Sequence, residues 1–463
     1  MAAGGDVSRH GMWSSRWLFV MAAAGSAVGL GNIWKFPYLT GENGGAAFVL
    51  VYLVSIMLVG IPIMIAEVLL GREGRNSPIT TMRELIQAHH RRSFWVLIGW
   101  MGVLAGFLIL SYYSVIAGWA LYYMWEMATG AMAGTSTAMA NQTFNDFMAN
   151  PWLMLLCHTL FMVATVAIVR KGVVKGLETA IRIFMPLLFV LLMVLLGYSV
   201  FSGAFGQGFS FMFDFKWEDV TAGTWLLAMG QSFFTLSLGM GAMMAYGAYV
   251  PRETSIASTV FTIAGLDTLV SLAAGLAIFP IVFANGLEPG QGPGLMFVTL
   301  PLAFGQMPLG SIFGLLFFML IGFAAITSAI SLTEPVLAYL VEEYNAKRAR
   351  VAISIGVICW LLGIGTVLSF NAWADVKVDG THTIFEFVDY ITQNIMLPLG
   401  GLLIALFCAW QLPRKIVADQ LGITSGWVWA VWKLLIGIVA PLGVLAVFLV
   451  TFFPCLQTLS CSG

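Results

Sequence analysis

The chain alternates between long apolar runs and short polar connections. Eleven runs are long enough to cross a bilayer as helices: 13–38, 46–70, 93–127, 151–169, 176–201, 222–249, 256–284, 309–340, 351–370, 384–410 and 427–453. A hydrocarbon core of about 30 Å needs about 20 apolar residues per helical span. The longer runs are expected to tilt or to extend into water. The segments 71–92, 130–150, 202–219, 285–308 and 372–383 are too polar to cross and read as connections.

Two of the apolar runs carry residues that a plain membrane helix does not need. The first contains Ala24-Gly25-Ser26-Ala27-Val28-Gly29-Leu30-Gly31-Asn32, and the sixth contains Phe233-Phe234-Thr235-Leu236-Ser237-Leu238-Gly239-Met240-Gly241. Each glycine weakens a helix by about 1 kcal/mol relative to alanine. Small residues alone signal close helix packing. Ser26, Asn32, Thr235 and Ser237 add polar groups that packing does not require. Non-helical backbone at membrane depth is tolerated only where it is buried in protein or lines a cavity. There, freed carbonyls bind cations and the N-termini of half-helices bind carboxylates. The first and sixth runs correspond if five helices repeat as five. Paired interruptions in corresponding positions point to a transporter site.

Composition fits this reading. Of 463 residues, 60% are hydrophobic and 9% charged, too little charge to cover a soluble surface. The net charge of −1 offers no basic field for nucleic acid, so none is expected as a partner. The basic residues are asymmetric. Arg9, Arg16, Arg72, Arg75, Arg83, Arg91, Arg92, Arg170, Lys171, Lys175, Arg182, Arg252, Lys347, Arg348, Arg350, Arg414 and Lys415 fall on one side if the spans alternate. The other side has little beyond Lys35, Lys216 and Lys377. Cationic loops stay in the cytoplasm, so the N-terminus is expected there and, with an odd number of spans, the C-terminus outside. The spans carry no nucleophile–base set and no metal-binding spacing, so an enzyme is not expected. Cys157, Cys359 and Cys408 read as small buried hydrophobes.

The string Gly25-Ser26-Ala27-Val28-Gly29-Leu30-Gly31-Asn32-Ile33-Trp34-Lys35-Phe36-Pro37-Tyr38, followed by Glu42-Asn43-Gly44-Gly45, resembles the first-helix signature of the neurotransmitter:sodium symporter family. Gly60-Ile61-Pro62 through Glu67 to Gly71-Arg72 resembles its second helix. Ser111-Tyr112-Tyr113 ahead of Trp119 resembles its third, the spacing of Gly176 and Pro186 its fifth, Gln231 to Met240 its sixth, and Thr327-Ser328 its eighth. The resemblance runs through essentially the whole chain. It implies an all-α integral membrane protein with a LeuT-type inverted five-helix repeat. Residues 1–463 would form one transporter domain: 12–201 the first repeat, 219–411 the second, and 427–453 an eleventh helix. Eleven spans suit a bacterial member in the cell inner membrane.

The resemblance also implies residue roles. The first of two sodium ions would take the Ala27 carbonyl, Asn32, Thr235 and Asp267. The second would take the carbonyls of Gly25, Val28 and Ala324 with the hydroxyls of Thr327 and Ser328. The substrate carboxylate would meet the first ion, the amides of Leu30 and Gly31, and the Tyr113 hydroxyl. Its ammonium would meet carbonyls of Ala27, Phe234, Thr235 and Ser237. Ser26, Ile109, Tyr113, Phe234, Met240, Ser328 and Leu332 would line the pocket. With no charge in that wall, the expected substrate is a neutral hydrophobic L-amino acid, branched or aromatic.

Lys35 and Asp389 would form an outer gate, with lysine where the family usually has arginine. At the inner gate the family's arginine position holds His10, with Arg9 beside it and Glu342 as the acidic partner. Glu67 is expected to hydrogen-bond structurally. Tyr52, Gln231, Thr235 and Ser271 match the residues that bind chloride in chloride-dependent members. Asp267 departs from the family's usual asparagine. A carboxylate beside the first ion already supplies the charge chloride brings, and two anions so close would repel. Chloride is therefore not expected to be required, and a proton could replace the cation on the return step. Proton-coupled transport and a non-transporting amino-acid sensor remain the alternative readings, and the oligomeric state is open.

Overall fold

The computed structural model describes residues 12–288, 294–423 and 425–452, and it is built from helices. Among the described residues, nine continuous helices are long and apolar enough to cross a membrane: Ala46–Gly74, Ser93–Ala128, Pro151–Val169, Lys175–Val200, Ile256–Ala284, Gly310–Tyr344, Arg348–Ser369, Ile384–Trp410 and Gly426–Leu449. A tenth span is the pair Arg16–Ala27 and Gly31–Glu42, bent by 71° at the break between them. The expected run 222–249 is divided into Ala222–Thr235 and Ala242–Gly247, each too short to cross alone. Fewer helices therefore run unbroken than hydropathy suggested, because the first and sixth runs are interrupted at their glycine-rich motifs.

The polar connections hold short helices, among them Pro78–Ala88, Thr137–Ala149, Phe205–Phe213 and Leu300–Gln306. The first span also runs further than expected, to Glu42.

Proline shapes several of the spans. Wide π-type turns cover Gly31–Lys35, Ile56–Gly60, Leu295–Thr299, Ile391–Met396 and Leu435–Val439. Each ends two residues before a proline: Pro37, Pro62, Pro301, Pro398 and Pro441. A proline ring clashes with the carbonyl four residues back and removes one hydrogen bond. Widening the preceding turn relieves that clash and lets the helix continue. Pro186, Pro280 and Pro335 sit inside helices without such a turn.

Packing places both broken spans at the centre. The inner half of the first span lies against the seventh and eighth spans, and both halves of the sixth lie against the second. The third and eighth spans run alongside one another and complete the wall around the two breaks.

Candidate substrate and ion site

The breaks are held by side chains from elsewhere in the chain. In the first span the helix ends at Ala27, and Val28 turns to extended backbone. The Asn32 side-chain oxygen then accepts the Gly29 N–H at 3.0 Å. In the sixth span the helix ends at Thr235, and Ser237, Gly239 and Gly241 follow with φ of 53°, 75° and 73°. A left-handed conformation costs a non-glycine residue about 1–2 kcal/mol. The Ser237 hydroxyl offsets this by donating to the Ser26 carbonyl at 2.9 Å. Gly239 admits no other residue, since a Cβ there would lie 2.3 Å from the Leu397 carbonyl oxygen. Its N–H donates to Glu67 Oε1 at 2.5 Å, the structural bond expected of that carboxylate.

One oxygen cluster joins the first and eighth spans. Ser328 Oγ lies 3.2 Å from the Ala324 carbonyl oxygen, 3.3 Å from that of Ser26, and 3.4 Å from those of Gly25 and Val28. The Thr327 hydroxyl donates to Ala324 O at 3.0 Å. All five oxygens expected for the second sodium ion are thus together. The Ser328 separations exceed a good O–H···O bond, and one hydroxyl proton cannot serve four carbonyls. Such an all-oxygen donor set suits a hard cation.

A second cluster surrounds Asp267, which is fully buried. Asn32 Nδ2 donates to Asp267 Oδ1 at 2.6 Å and to Ser271 Oγ at 2.9 Å. Tyr52 OH donates to Asp267 Oδ2 at 3.2 Å and lies 3.0 Å from Thr235 Oγ1. Gln231, one turn before Thr235, donates to the Gly31 carbonyl at 3.1 Å, and its own buried side-chain oxygen has no partner among the described residues. Among the described residues, no cationic side chain lies within ion-pair distance of Asp267. A buried carboxylate with only neutral donors is costly, and a cation beside it offsets that cost. Tyr52, Thr235 and Ser271, from the chloride-like set, therefore gather around a carboxylate. Asn32 faces Asp267 with its amide nitrogen rather than with the oxygen expected to meet sodium. The NH₂ is the complementary face toward an anion, so Asn32 would have to turn its amide to bind a cation.

Between the breaks lies a small cavity of about 30 Å³. Ser26, Ala27, Leu30, Gly31, Ile109, Tyr113, Phe234, Ser237, Met240, Ser328 and Leu332 line it, as expected; Thr235 faces the Asp267 cluster instead. Ser331 was not anticipated. It lines the cavity, and Ser26 Oγ donates to its hydroxyl at 2.8 Å. Its position one helical turn beyond Thr327 and Ser328 was the available signal. The Tyr113 hydroxyl is buried beside Ser328 and the Leu30 backbone and makes no close hydrogen bond among the described residues, so its donor is available at the cavity wall. The volume suits a water or two, so the walls must part to admit an amino acid.

Phe234 forms the outer wall. Its ring lies on Gly31, where a Cβ would come within 2.6 Å of it. On its far side opens a vestibule of about 300 Å³ that also borders Lys35, Gln231, Gln393 and Asn394. Lys35 and Asp389 do not form the expected ion pair. The lysine ammonium sits 5.4 Å from the centre of the Phe234 ring, and Asp389 accepts the side-chain amide of Gln393, one turn further along its helix. A compact ammonium lacks the planar fork with which arginine reaches a carboxylate, and it settles over an aromatic face.

At the inner end, Arg9 and His10 lie outside the described residues. Glu342 accepts the Ser77 N–H through both oxygens, at 2.8 and 3.0 Å. Trp13 is a buried plug that sequence reading did not single out. Its indole donates to the Tyr246 carbonyl at 3.1 Å and meets the Tyr246 ring edge-on.

Comparison with known proteins follows the same outline. The profile of the Sodium:neurotransmitter symporter family matches residues 10–150 and 140–459. An uncharacterized sodium-dependent transporter of Bacillus subtilis, YhdH, is 38% identical over 444 residues, covering 94% of this chain and 96% of its own. The human sodium- and chloride-dependent GABA transporter 2 is 25% identical, over 89% of this chain and 75% of its own. The crystal structure of MhsT in complex with L-phenylalanine superposes with a TM-score of 0.87 at 45% identity, over 95% of this chain and 99% of that one.

Proposed function

This chain belongs to the sodium:neurotransmitter symporter family, a multi-pass membrane protein and sodium-dependent symporter of LeuT type, and we propose that it takes up neutral hydrophobic L-amino acids by alternating access. The observation that carries this reading is the buried carboxylate of Asp267, without a cationic side chain beside it among the described residues, one residue layer from a cavity lined by hydroxyls on one part of its wall and by Ile109, Phe234, Met240 and Leu332 on another. A cation bound beside Asp267 places positive charge where a substrate carboxylate enters. The Leu30 and Gly31 amides and the Tyr113 hydroxyl complete that carboxylate's donors. Carbonyls freed by the two breaks receive the ammonium. Ile109, Phe234, Met240 and Leu332 leave the side chain an apolar space, and methionine adapts its shape to branched or aromatic groups. MhsT, at 45% identity, was crystallised with L-phenylalanine, which supports the same class of substrate.

The two oxygen clusters support a stoichiometry of two sodium ions per substrate. Charge moving down a 100 mV potential is worth about 2.3 kcal/mol, enough to concentrate substrate strongly. The charge asymmetry supports a cytoplasmic N-terminus and an extracytoplasmic C-terminus. Phe234, between cavity and vestibule, acts as the outer lid, and Trp13 closes the inner side.

The test is uptake of radiolabelled L-phenylalanine into proteoliposomes under an inward sodium gradient. Unlabelled leucine, phenylalanine and tryptophan should compete, and lysine and glutamate should not. Uptake that persists with potassium in place of sodium and follows a proton gradient would overturn the sodium coupling. Sodium-dependent binding without uptake would make the protein a sensor.

A further inference from the structure

The fourth and ninth spans, Pro151–Val169 and Arg348–Ser369, pack side by side away from the transport site. An open groove of about 420 Å³ runs between them. Thr159, Val163 and Arg170 mark its length on the fourth span, and Ile353, Val357 and Trp360 on the ninth. Val163 is 61% exposed and Val357 50%, so both face the lipid. From Thr159 to Arg170 the helix rises about 16 Å. That is roughly half of a ~30 Å hydrocarbon core, so the groove is one leaflet deep.

The two ends of the groove differ. At the deep end the Trp360 indole donates to the Thr159 hydroxyl at 2.8 Å, which leaves no indole donor free in the hydrocarbon. At the other end Arg170 closes the groove, and Arg350 stands one helical turn before Ile353. Arg348 Nε donates to the Val169 carbonyl at 3.0 Å, so these two helix ends are held together. Arg348 itself is neutralised by Glu334. Arg170 and Arg350 are exposed and form no ion pair among the described residues.

We propose that this groove binds an anionic phospholipid of the cytoplasmic leaflet, with one acyl chain along the two spans and the phosphate against Arg170 and Arg350. The assignment rests on the membrane reading and on the charge-derived orientation, and it is independent of the substrate. A zwitterionic lipid offers the same chain without net charge. A second copy of the protein docking here across a two-fold axis would bring unpaired arginines together, which is unfavourable. Basic pockets between helices at the cytoplasmic side are suited to anionic headgroups.

The experiment titrates the full-length protein in detergent with dioleoyl phosphatidylglycerol or dioleoyl phosphatidylcholine and counts bound lipid by native mass spectrometry. Phosphatidylglycerol should bind roughly thirtyfold more tightly, as expected for two cations at the headgroup. Arg170→Ala with Arg350→Ala should abolish that preference. Val163→Trp, which fills the groove, should weaken both lipids, and Arg91→Ala, at an exposed position elsewhere, should leave the preference intact. Retained sodium-dependent uptake certifies that each variant is folded. Equal binding of the two lipids, or a preference that survives the double substitution, overturns the proposal. A dimer that Val163→Trp dissociates without altering lipid binding overturns it in favour of a chain–chain interface.

Discussion

Glu67 on the second span accepts the backbone N–H of Gly239 in the unwound centre of the sixth, across 172 residues of sequence. An intramembrane carboxylate thus serves as the missing partner of a helix that stops being a helix. Glu67→Gln keeps an acceptor at that place, whereas Glu67→Ala leaves a buried N–H bare, at about 1–3 kcal/mol. Thermal unfolding of the purified protein should show a clear drop for the alanine variant and a smaller one for glutamine. Identical midpoints for all three proteins would remove Glu67 from this role.

Asp267 stands where the chloride-like residues converge, and its charge is expected to replace the halide. Wild-type uptake should be unchanged when chloride is exchanged for gluconate. Asp267→Asn should be inactive or should recover with chloride. A wild type that stops in gluconate would sink the charge-replacement idea.

The Ser328 oxygen cluster predicts a specific loss. Thr327→Ala with Ser328→Ala removes two of the five expected oxygens and leaves the helix intact, since alanine favours helix. The sodium concentration for half-maximal uptake should rise about tenfold or more, as loss of a strong ligand costs at least ~1.4 kcal/mol. An unchanged sodium curve in a folded double variant would place the ion elsewhere.

Tyr113 presents its hydroxyl at the cavity wall with no close hydrogen bond among the described residues. Tyr113→Phe keeps the ring and removes one bond to a substrate carboxylate, worth about 1.5–3 kcal/mol when the acceptor is charged. Phenylalanine affinity, measured by equilibrium binding, should fall roughly ten- to a hundred-fold. Sodium-dependent stabilisation without substrate should not change. Equal phenylalanine affinity in the two proteins would show that the hydroxyl does not meet the substrate.

The expected pocket was legible through the family resemblance, which short, chemically unusual strings carry. Glycine and hydroxyl groups at membrane depth mark a break wherever they occur, and the break brings its own carbonyls with it. Ser331 escaped because the resemblance assigned roles to Thr327 and Ser328 alone, and a further serine one turn along resembles a packing residue. Its role appears only when Ser26, 305 residues away, turns out to donate to it. The Lys35–Asp389 pair was expected from the outer ends of two helices and the family's arginine position, yet Gln393 is a nearer partner for Asp389 and the Phe234 ring a nearer one for Lys35.

Hydropathy and local motif by themselves pointed to the apolar runs and the two sites of interruption, and the family resemblance of those motifs supplied the expected oxygen donors. The runs and the interruptions depend on the cost of leaving polar groups in hydrocarbon, which each segment meets on its own. Tertiary packing decided which partner each freed group takes: Gly239 with Glu67, Gly29 with Asn32, and Asn32 with Asp267. It also decided that Phe234 lies on Gly31 and so separates cavity from vestibule. A hydrogen bond is directional and reaches only about 3 Å. Whether two groups far apart in sequence meet is therefore settled by how the helices pack.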